Sequence, residues 1–123
     1  MIDWIISSLL LIVGLINFVP VIGMLSAERL SNLYGIEMNE SNLLILMRHR
    51  ALLLGLVGGL IIASVFRPEL RISTLIVGLI SMLGFVIIDR QEGNRNEKLQ
   101  RIVIMDWIAS VLAVSALILI FIS

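Results

Sequence analysis

Four long apolar stretches, separated by short polar segments, are the feature of this sequence that most limits how it can fold. They run approximately over residues 4–24, 43–66, 72–88 and 102–122. Each has about the 20 residues that a helix needs to cross roughly 30 Å of hydrocarbon. Polar and apolar residues do not alternate within them, which excludes strands. We therefore predict an all-α integral membrane protein, with one transmembrane domain over residues 1–123 folded as an antiparallel four-helix bundle.

The composition supports this class and excludes several others. Hydrophobic residues make up 59% of the chain and charged residues 15%, against roughly 45–50% and 25% in soluble domains. Nine basic residues balance nine acidic ones, so there is no excess positive charge for a nucleic acid partner. The chain has no cysteine and a single histidine, His49, and no phosphate-loop or nucleophile motif. We expect neither a metal nor a cofactor.

The polar connections carry turn and cap signals. Residues 67–71 are too few for anything but a tight turn. In the first connection Ser26 is placed to cap a short interfacial helix that ends at Gly35, and Asn39 or Ser41 is placed to cap the second span. Residues 94–97 resemble a capping box led by Asn94, so the fourth long helix is expected to begin before its apolar run. The short helix carries its apolar side chains on one side: Leu25, Leu30, Leu33 and Tyr34.

The distribution of basic residues predicts the orientation. The first and third connections together hold seven of them: Arg29, Arg48, Arg50, Arg90, Arg95, Lys98 and Arg101. The second connection holds only Arg67 and Arg71. Because basic loops stay in the cytoplasm, we expect the first and third connections there and both termini outside it. Trp4 and Trp107 are placed to anchor opposite interfaces.

The run Arg48-His49-Arg50 interrupts the second apolar stretch. An arginine at a helix centre costs about 2.5–3.5 kcal/mol on insertion scales, and less near a helix end. On a helical wheel Arg48 lies within about 20° of Gly55 and Gly59, where small residues allow another helix to approach. Arg50 points about 200° from Arg48. We call the row formed by Gly55 and Gly59 the glycine seam. Arg48 is expected to lie at its head, the end nearer the start of the second span, and Arg50 is expected to lie off it.

Asp106 is the matching charge in the fourth stretch. Alternating helix directions bring the starts of the second and fourth spans to the same leaflet, so we expect Arg48 to meet Asp106, with an Arg50–Asp106 pair as the variant. The end of the first span brings Asn17 and Pro20 to the same leaflet, and the proline is expected to kink the helix there. The face of Asp106 also carries a row of small residues: Ala109, Ser110 and Ala113.

These polar residues predict a pocket on the cytoplasmic side. We take Arg48, His49, Arg50, Asn17 and Asp106 as ligand-binding residues for a membrane lipid or another lipophilic, amphipathic anionic molecule. One alternative function is an accessory or assembly subunit whose charges dock a membrane protein partner. A second is an isomerase-type membrane enzyme that uses His49 and Asp106 for proton transfer. A homo-oligomer is also compatible with any of these functions. Charges near helix ends also commonly do no more than mark the membrane boundary.

Three segments resemble a known family. Tyr34-Gly35 after the first span, the run 46–51 with its arginines, and the glycine-rich stretch from Gly55 to Gly59 look like the DoxX-like group of small four-helix bacterial membrane proteins. The likeness covers about the first half of the chain, as far as Ala63. It implies a multi-pass protein of the bacterial cytoplasmic membrane. Some members of the group are associated with quinone-linked oxidoreductase systems.

Overall fold

Nearly all of the described residues are helical, and none of them forms a strand. The computed structural model describes residues 2–21, 27–36, 40–93 and 96–122, without the side chains of Ala27 and Leu33. A short 3-10 turn, Pro68–Leu70, fills the tight connection that residues 67–71 predict. The prediction of an all-α chain is confirmed. The helices are α1 (Ile2–Phe18), α2 (Ala27–Tyr34), α3 (Ser41–Phe66), α4 (Arg71–Glu92) and α5 (Glu97–Ile122).

Four segments are long and apolar enough to cross a membrane: Ile2–Val21, Ser41–Phe66, Pro68–Glu92 and Glu97–Ile122. They correspond to the four apolar stretches and indicate a multi-pass membrane protein. α4 is longer than the third apolar stretch because the polar residues 89–92 continue the helix. Gly93, with φ of 79°, follows its last residue. The last helix begins at Glu97, before its apolar run, as expected. Residues 22–24 of the first predicted span lie outside the described residues.

The core lies where the four long helices meet. α1 contacts α3 and α5, and α4 contacts the same two helices. Ala109, Ser110 and Ala113, the small residues predicted to form a seam on α5, are all buried. The prediction of close packing on that face of α5 is therefore confirmed. The core residues are Ile6, Leu10 and Val13 of α1, Ile61 of α3, Leu75 and Met82 of α4, and Ala109, Ala113 and Ala116 of α5.

Two glycines of α3 let α1 approach closely. A Cβ atom on Gly58 would lie 2.5 Å from the backbone oxygen of Gly14, and one on Gly55 would lie 2.6 Å from Val21. A Cβ atom on Gly59 would meet nothing within 4 Å among the described residues. The prediction that Gly55 and Gly59 form the packing seam was therefore wrong for Gly59. The seam continues from Gly55 through Gly58, because three residues also nearly complete a helical turn.

The short helix α2 docks through Leu30 and Tyr34, both buried. It ends as predicted at Gly35, which has φ of 69° and donates its backbone N–H to the oxygen of Ser31 at 2.8 Å. The residues packed around it come from the starts of α3 and α5: Leu43, Leu44, Met47, Leu99 and Ile102. The predicted contacts of Leu25 and Leu33 and the predicted cap Ser26 lie outside the described residues and side chains.

The start of α5 holds α2 in place. The Asn96 side chain caps α5 by accepting the Leu99 N–H at 2.8 Å, and it donates to the backbone oxygens of Tyr34 at 2.9 Å and Gly35 at 3.1 Å. Lys98 donates to the backbone oxygen of Asn32 at 2.6 Å. One asparagine thus serves two helix ends. Asn94, the predicted cap, lies outside the described residues.

The start of α3 differs from the prediction. Its N-cap is Glu40, whose side chain makes no capping hydrogen bond, and Ser41 is already the first helical residue. Ser41 as a cap was therefore wrong, because the backbone becomes helical one residue earlier than that role requires. The other candidate, Asn39, lies outside the described residues.

Candidate functional site

Arg50 is the basic residue of α3 that turns toward the other helices. Its guanidinium carbon lies 4.8 Å from the centroid of the Phe85 ring on α4 and 5.7 Å from that of the Tyr34 ring on α2. Both distances are within the range of cation–π attraction. The side chain is half-buried. Two aromatic rings from different helices therefore hold the guanidinium in place without neutralising its charge.

A cavity of about 310 Å³, which we call the inner cavity, lies beside Arg50. α1, α2, α3 and α5 all contribute to its walls, and most of the lining is apolar. Two of the lining residues, Arg50 and Asp106, carry opposite charges. The described lining residues are Leu15, Ile16, Asn17, Val19, Pro20, Tyr34, Arg50, Leu54, Ile102, Met105 and Asp106.

Asn17 and Pro20 form the α1 side of the inner cavity. Asn17 is buried, and its side-chain amide donates to the backbone oxygen of Val13 at 3.0 Å and to the sulfur of Met82 at 3.5 Å. The α-helix ends at Phe18 and continues as a 3-10 turn over 19–21. A change of helix type at Pro20 agrees with its missing N–H and with the predicted kink.

Asp106 faces the same cavity from α5 and is half-buried. Its backbone oxygen accepts a hydrogen bond from the Ser110 hydroxyl at 2.7 Å. Within the described residues, no ion pair as short as 4 Å joins its carboxylate to Arg50. The arginine and the carboxylate thus share one cavity, but the predicted Arg50–Asp106 ion pair is not formed among the described residues.

Arg48 and His49 lie elsewhere. Both are exposed and line a separate, wider groove of about 520 Å³, which we call the outer groove. Its other described lining residues also belong to α3: Ser41, Leu44, Ile45 and Leu52. The structure therefore divides the five predicted site residues into an inner group of Asn17, Arg50 and Asp106 and an outer group of Arg48 and His49.

The predicted place of Arg48 at the head of the glycine seam stays a prediction. The last described contact of the seam is that of Val21 with Gly55. Arg48 lies seven residues before Gly55, about 10 Å further along α3, and residues 22–26, which follow Val21, lie outside the described residues. His49 and Asp106 line different sites, so the described geometry does not assemble the proton-transfer pair of the isomerase alternative.

A second polar cluster, at the opposite end of the helices, was not predicted. Arg71, which is buried, donates to the Asp3 carboxylate at 2.8 Å and to the backbone oxygens of Ser64 and Val65, each at 3.1 Å. A longer contact of 3.5 Å reaches the hydroxyl of Ser7. We call this group the Arg71 cluster. It satisfies carbonyl groups in the last turn of α3 and ties α1 to α4, which is a structural role.

Sequence reasoning also missed the two rings beside Arg50. A helical wheel could have predicted that Arg50 points inward, because Leu54, Val57 and Ile61 lie within about 40° of it and form an apolar face. That face contains the core residue Ile61. Alignment with an apolar core face is better evidence that a charged residue points inward than alignment with a glycine. No local pattern pointed to Phe85, since its contact with Arg50 spans 35 positions.

The comparisons add no relative: no family model, curated protein or solved structure matches this chain. The likeness to the DoxX-like group therefore stays a prediction. Among the described residues there is no group of three or more histidine, cysteine, aspartate or glutamate side chains that could hold a metal ion.

Proposed function

We propose that this is a multi-pass membrane protein, an antiparallel bundle of four spans, whose inner cavity binds a lipid-like, amphipathic ligand. The observation that carries the proposal is the presence of two opposite charges, Arg50 and Asp106, in the lining of a cavity with otherwise mostly apolar walls. Ionisable groups placed between membrane-spanning helices are costly, and they commonly mark a binding site. The close contacts of Gly14 with Gly58 and of Val21 with Gly55 support opposite directions for α1 and α3.

The proposed orientation places the inner cavity near the cytoplasmic leaflet. Arg29, Arg50 and Lys98 belong to the end of the molecule with most basic residues, and the positive-inside bias places such an end in the cytoplasm. Both termini then lie outside it. In a bacterium the membrane concerned is the cytoplasmic one, as the family resemblance implies.

The charges indicate the polar end of the ligand. A guanidinium binds the oxygens of a phosphate or carboxylate. The carboxylate of Asp106 in the same cavity disfavours a ligand of high negative charge and accepts hydrogen bonds from hydroxyl groups. We therefore expect a head group with one anionic group and at least one hydroxyl, and a tail along Leu15, Ile16 and Leu54.

The size of the cavity limits the tail. At about 310 Å³, it is at the lower end of the roughly 300–1,000 Å³ typical of small-molecule sites. One hydrocarbon chain is a better match than the two chains of a phospholipid. The proposed ligand class is therefore a single-chain amphiphile, such as a lysophospholipid.

A pair of leucine variants tests this proposal without removing a charge. Leu54→Phe adds volume at a residue that lines the inner cavity, whereas Leu53→Phe adds it at an exposed neighbour. Lysophosphatidylglycerol binding to the delipidated protein in detergent is measured by native mass spectrometry. We expect Leu54→Phe and Arg50→Gln to weaken binding by about tenfold or more, with Leu53→Phe unchanged.

Two results would count against the proposal. Binding that is equal in the wild type, Leu54→Phe and Arg50→Gln, with all three folded by circular dichroism, would remove the inner cavity as a site. Recovery of a second polypeptide in mild detergent, lost when exposed positions such as Leu53 are changed, would favour the accessory-subunit alternative. Arg90→Gln, which changes an exposed residue outside the cavity lining, controls for a general loss of positive charge.

A further inference from the structure

The outer groove combines basic groups with an apolar surface. Arg48 and His49 are exposed side by side, and the hydroxyl-bearing Ser41 lies in the same lining. Leu44, Ile45 and Leu52 supply the apolar part. Neither basic residue lines the inner cavity, so the groove is a separate site that the function proposed above leaves unused.

An exposed apolar stripe continues from the outer groove along α3. Its members lie within about 80° of one another around the helix, and His49 is on the same face. From His49 to the last member the stripe is about 16 Å long, which matches one leaflet of a hydrocarbon core of roughly 30 Å. The exposed apolar members are Ile45, Leu52, Leu56 and Leu60.

We infer that the outer groove binds an anionic phospholipid from the surrounding leaflet. Its phosphate lies between Arg48 and His49, and one acyl chain follows the stripe toward Leu60. The basic groups and the apolar stripe are arranged along the helix in the same order as a phospholipid's head group and tail. Clusters of basic residues at a membrane interface are typical of anionic lipid binding. This inference rests on the proposed membrane insertion and not on the ligand of the inner cavity.

Charge favours a lipid over a second copy of the chain as the occupant. Two copies in one membrane share an orientation, so a symmetric contact through the outer groove brings both grooves together at the same depth. Arg48 of one copy then lies near Arg48 of the other, and like charges in an interface are repulsive. A phosphate at the same position is attracted instead.

Native mass spectrometry of the full, delipidated chain tests the inference. Dioleoyl phosphatidylglycerol and dioleoyl phosphatidylcholine are added separately, and the affinity of the first bound lipid is compared. We expect the wild type to prefer phosphatidylglycerol by about tenfold and the Arg48→Gln/His49→Gln variant to prefer it by less than about twofold. Arg48→Lys is expected to retain most of the preference, because lysine keeps the positive charge that attracts the phosphate.

The control changes a basic residue outside both sites. Arg90→Gln, at an exposed position in neither lining, is expected to keep the preference for phosphatidylglycerol. A wild type without a preference, or a double variant that keeps the full preference, would overturn the inference. So would a dimer that persists when phosphatidylglycerol is added and dissociates in the double variant. If the double variant fails to fold, His49→Gln alone is expected to lower the preference by about threefold.

Discussion

In the part of the chain that the structure describes, each end of the helix assembly has one arginine that faces inward, and the surroundings of the two differ. Arg71 pairs directly with Asp3 and donates to two carbonyl groups in the last turn of α3. Arg50 is held between two rings and shares a cavity with Asp106, without a direct ion pair in the described part of the chain. The first arrangement uses up its donors within the protein. The second leaves a guanidinium facing a cavity.

The comparison shows that a buried charge does not by itself mark a functional site. What distinguishes the two arginines is how their donors are used and whether a cavity lies beside them. Arg71 is the more buried of the two, yet it has a structural role. The expected consequences of substitution therefore differ between the ends, in stability at the Arg71 cluster and in ligand binding at the inner cavity.

The largest effect on stability is expected at the Arg71 cluster. Arg71→Met removes the donors to Asp3, Ser64 and Val65 and should lower the free energy of unfolding by about 3 kcal/mol, mainly because the carbonyl groups of Ser64 and Val65 lose a charged donor. Unfolding by SDS in mixed micelles, followed by circular dichroism, measures this. Arg67→Met is the control, because the Arg67–Glu69 ion pair is exposed and should change little. Equal effects of the two variants would remove the distinction between the ends.

The next effect is expected where α1 and α3 approach between the two ends. Gly58→Ala places a methyl group 2.5 Å from the Gly14 backbone oxygen, and the two helices must separate, at a cost of about 1–3 kcal/mol. Gly59→Ala meets nothing described within 4 Å and gains helix propensity, so we expect no loss of stability. The same unfolding measurement compares them, and an equal loss in Gly59→Ala would contradict the assigned seam.

A smaller effect is expected at the hydrogen bonds by which Asn96 joins α2 to α5. Asn96→Ala removes the cap of α5 and the donor to Tyr34 and Gly35, at a cost of about 1 kcal/mol. Because Tyr34 lines the inner cavity, hydrogen exchange of α2 amides should speed up more than exchange near Arg71. Gln100→Ala, at an exposed position one turn further along α5, is the control. Unchanged exchange in α2 would show that the Asn96 hydrogen bonds do not hold α2, and that it docks through Leu30 and Tyr34 alone.

Much of the fold follows from the sequence because its determinants are local. Apolar run length, Gly35 after a short amphipathic segment and the row from Ala109 to Ala113 depend on neighbouring residues and helical period. They predict four spans, the end of α2 and one packed face. The choice between Gly58 and Gly59 depends on which helix lies opposite, and a wheel for one helix does not contain that information.

The site was predicted in part for the same reason. Asp106, Asn17 and Arg50 line one cavity, which agrees with the prediction that alternating helix directions bring them to one level. Arg48 was assigned to the seam from a wheel for one helix, which does not show where the opposite helix packs; the last described contact of the seam is that of Val21 with Gly55. Arg71 was counted as a connection residue because it follows a turn. Its ion-pair partner, Asp3, is 68 positions earlier in the sequence.

The central claim is that Arg50 and Asp106 act on one another across one cavity, and a double-mutant cycle tests it most directly. The free energies of unfolding of Arg50→Met, Asp106→Leu and the double variant are compared with that of the wild type. A parallel cycle replaces Arg50→Met with Arg48→Met. We predict a coupling of at least about 0.5 kcal/mol for Arg50 with Asp106 and additive effects for Arg48 with Asp106. Additive effects in the first cycle, or a coupling only in the second, would contradict the account.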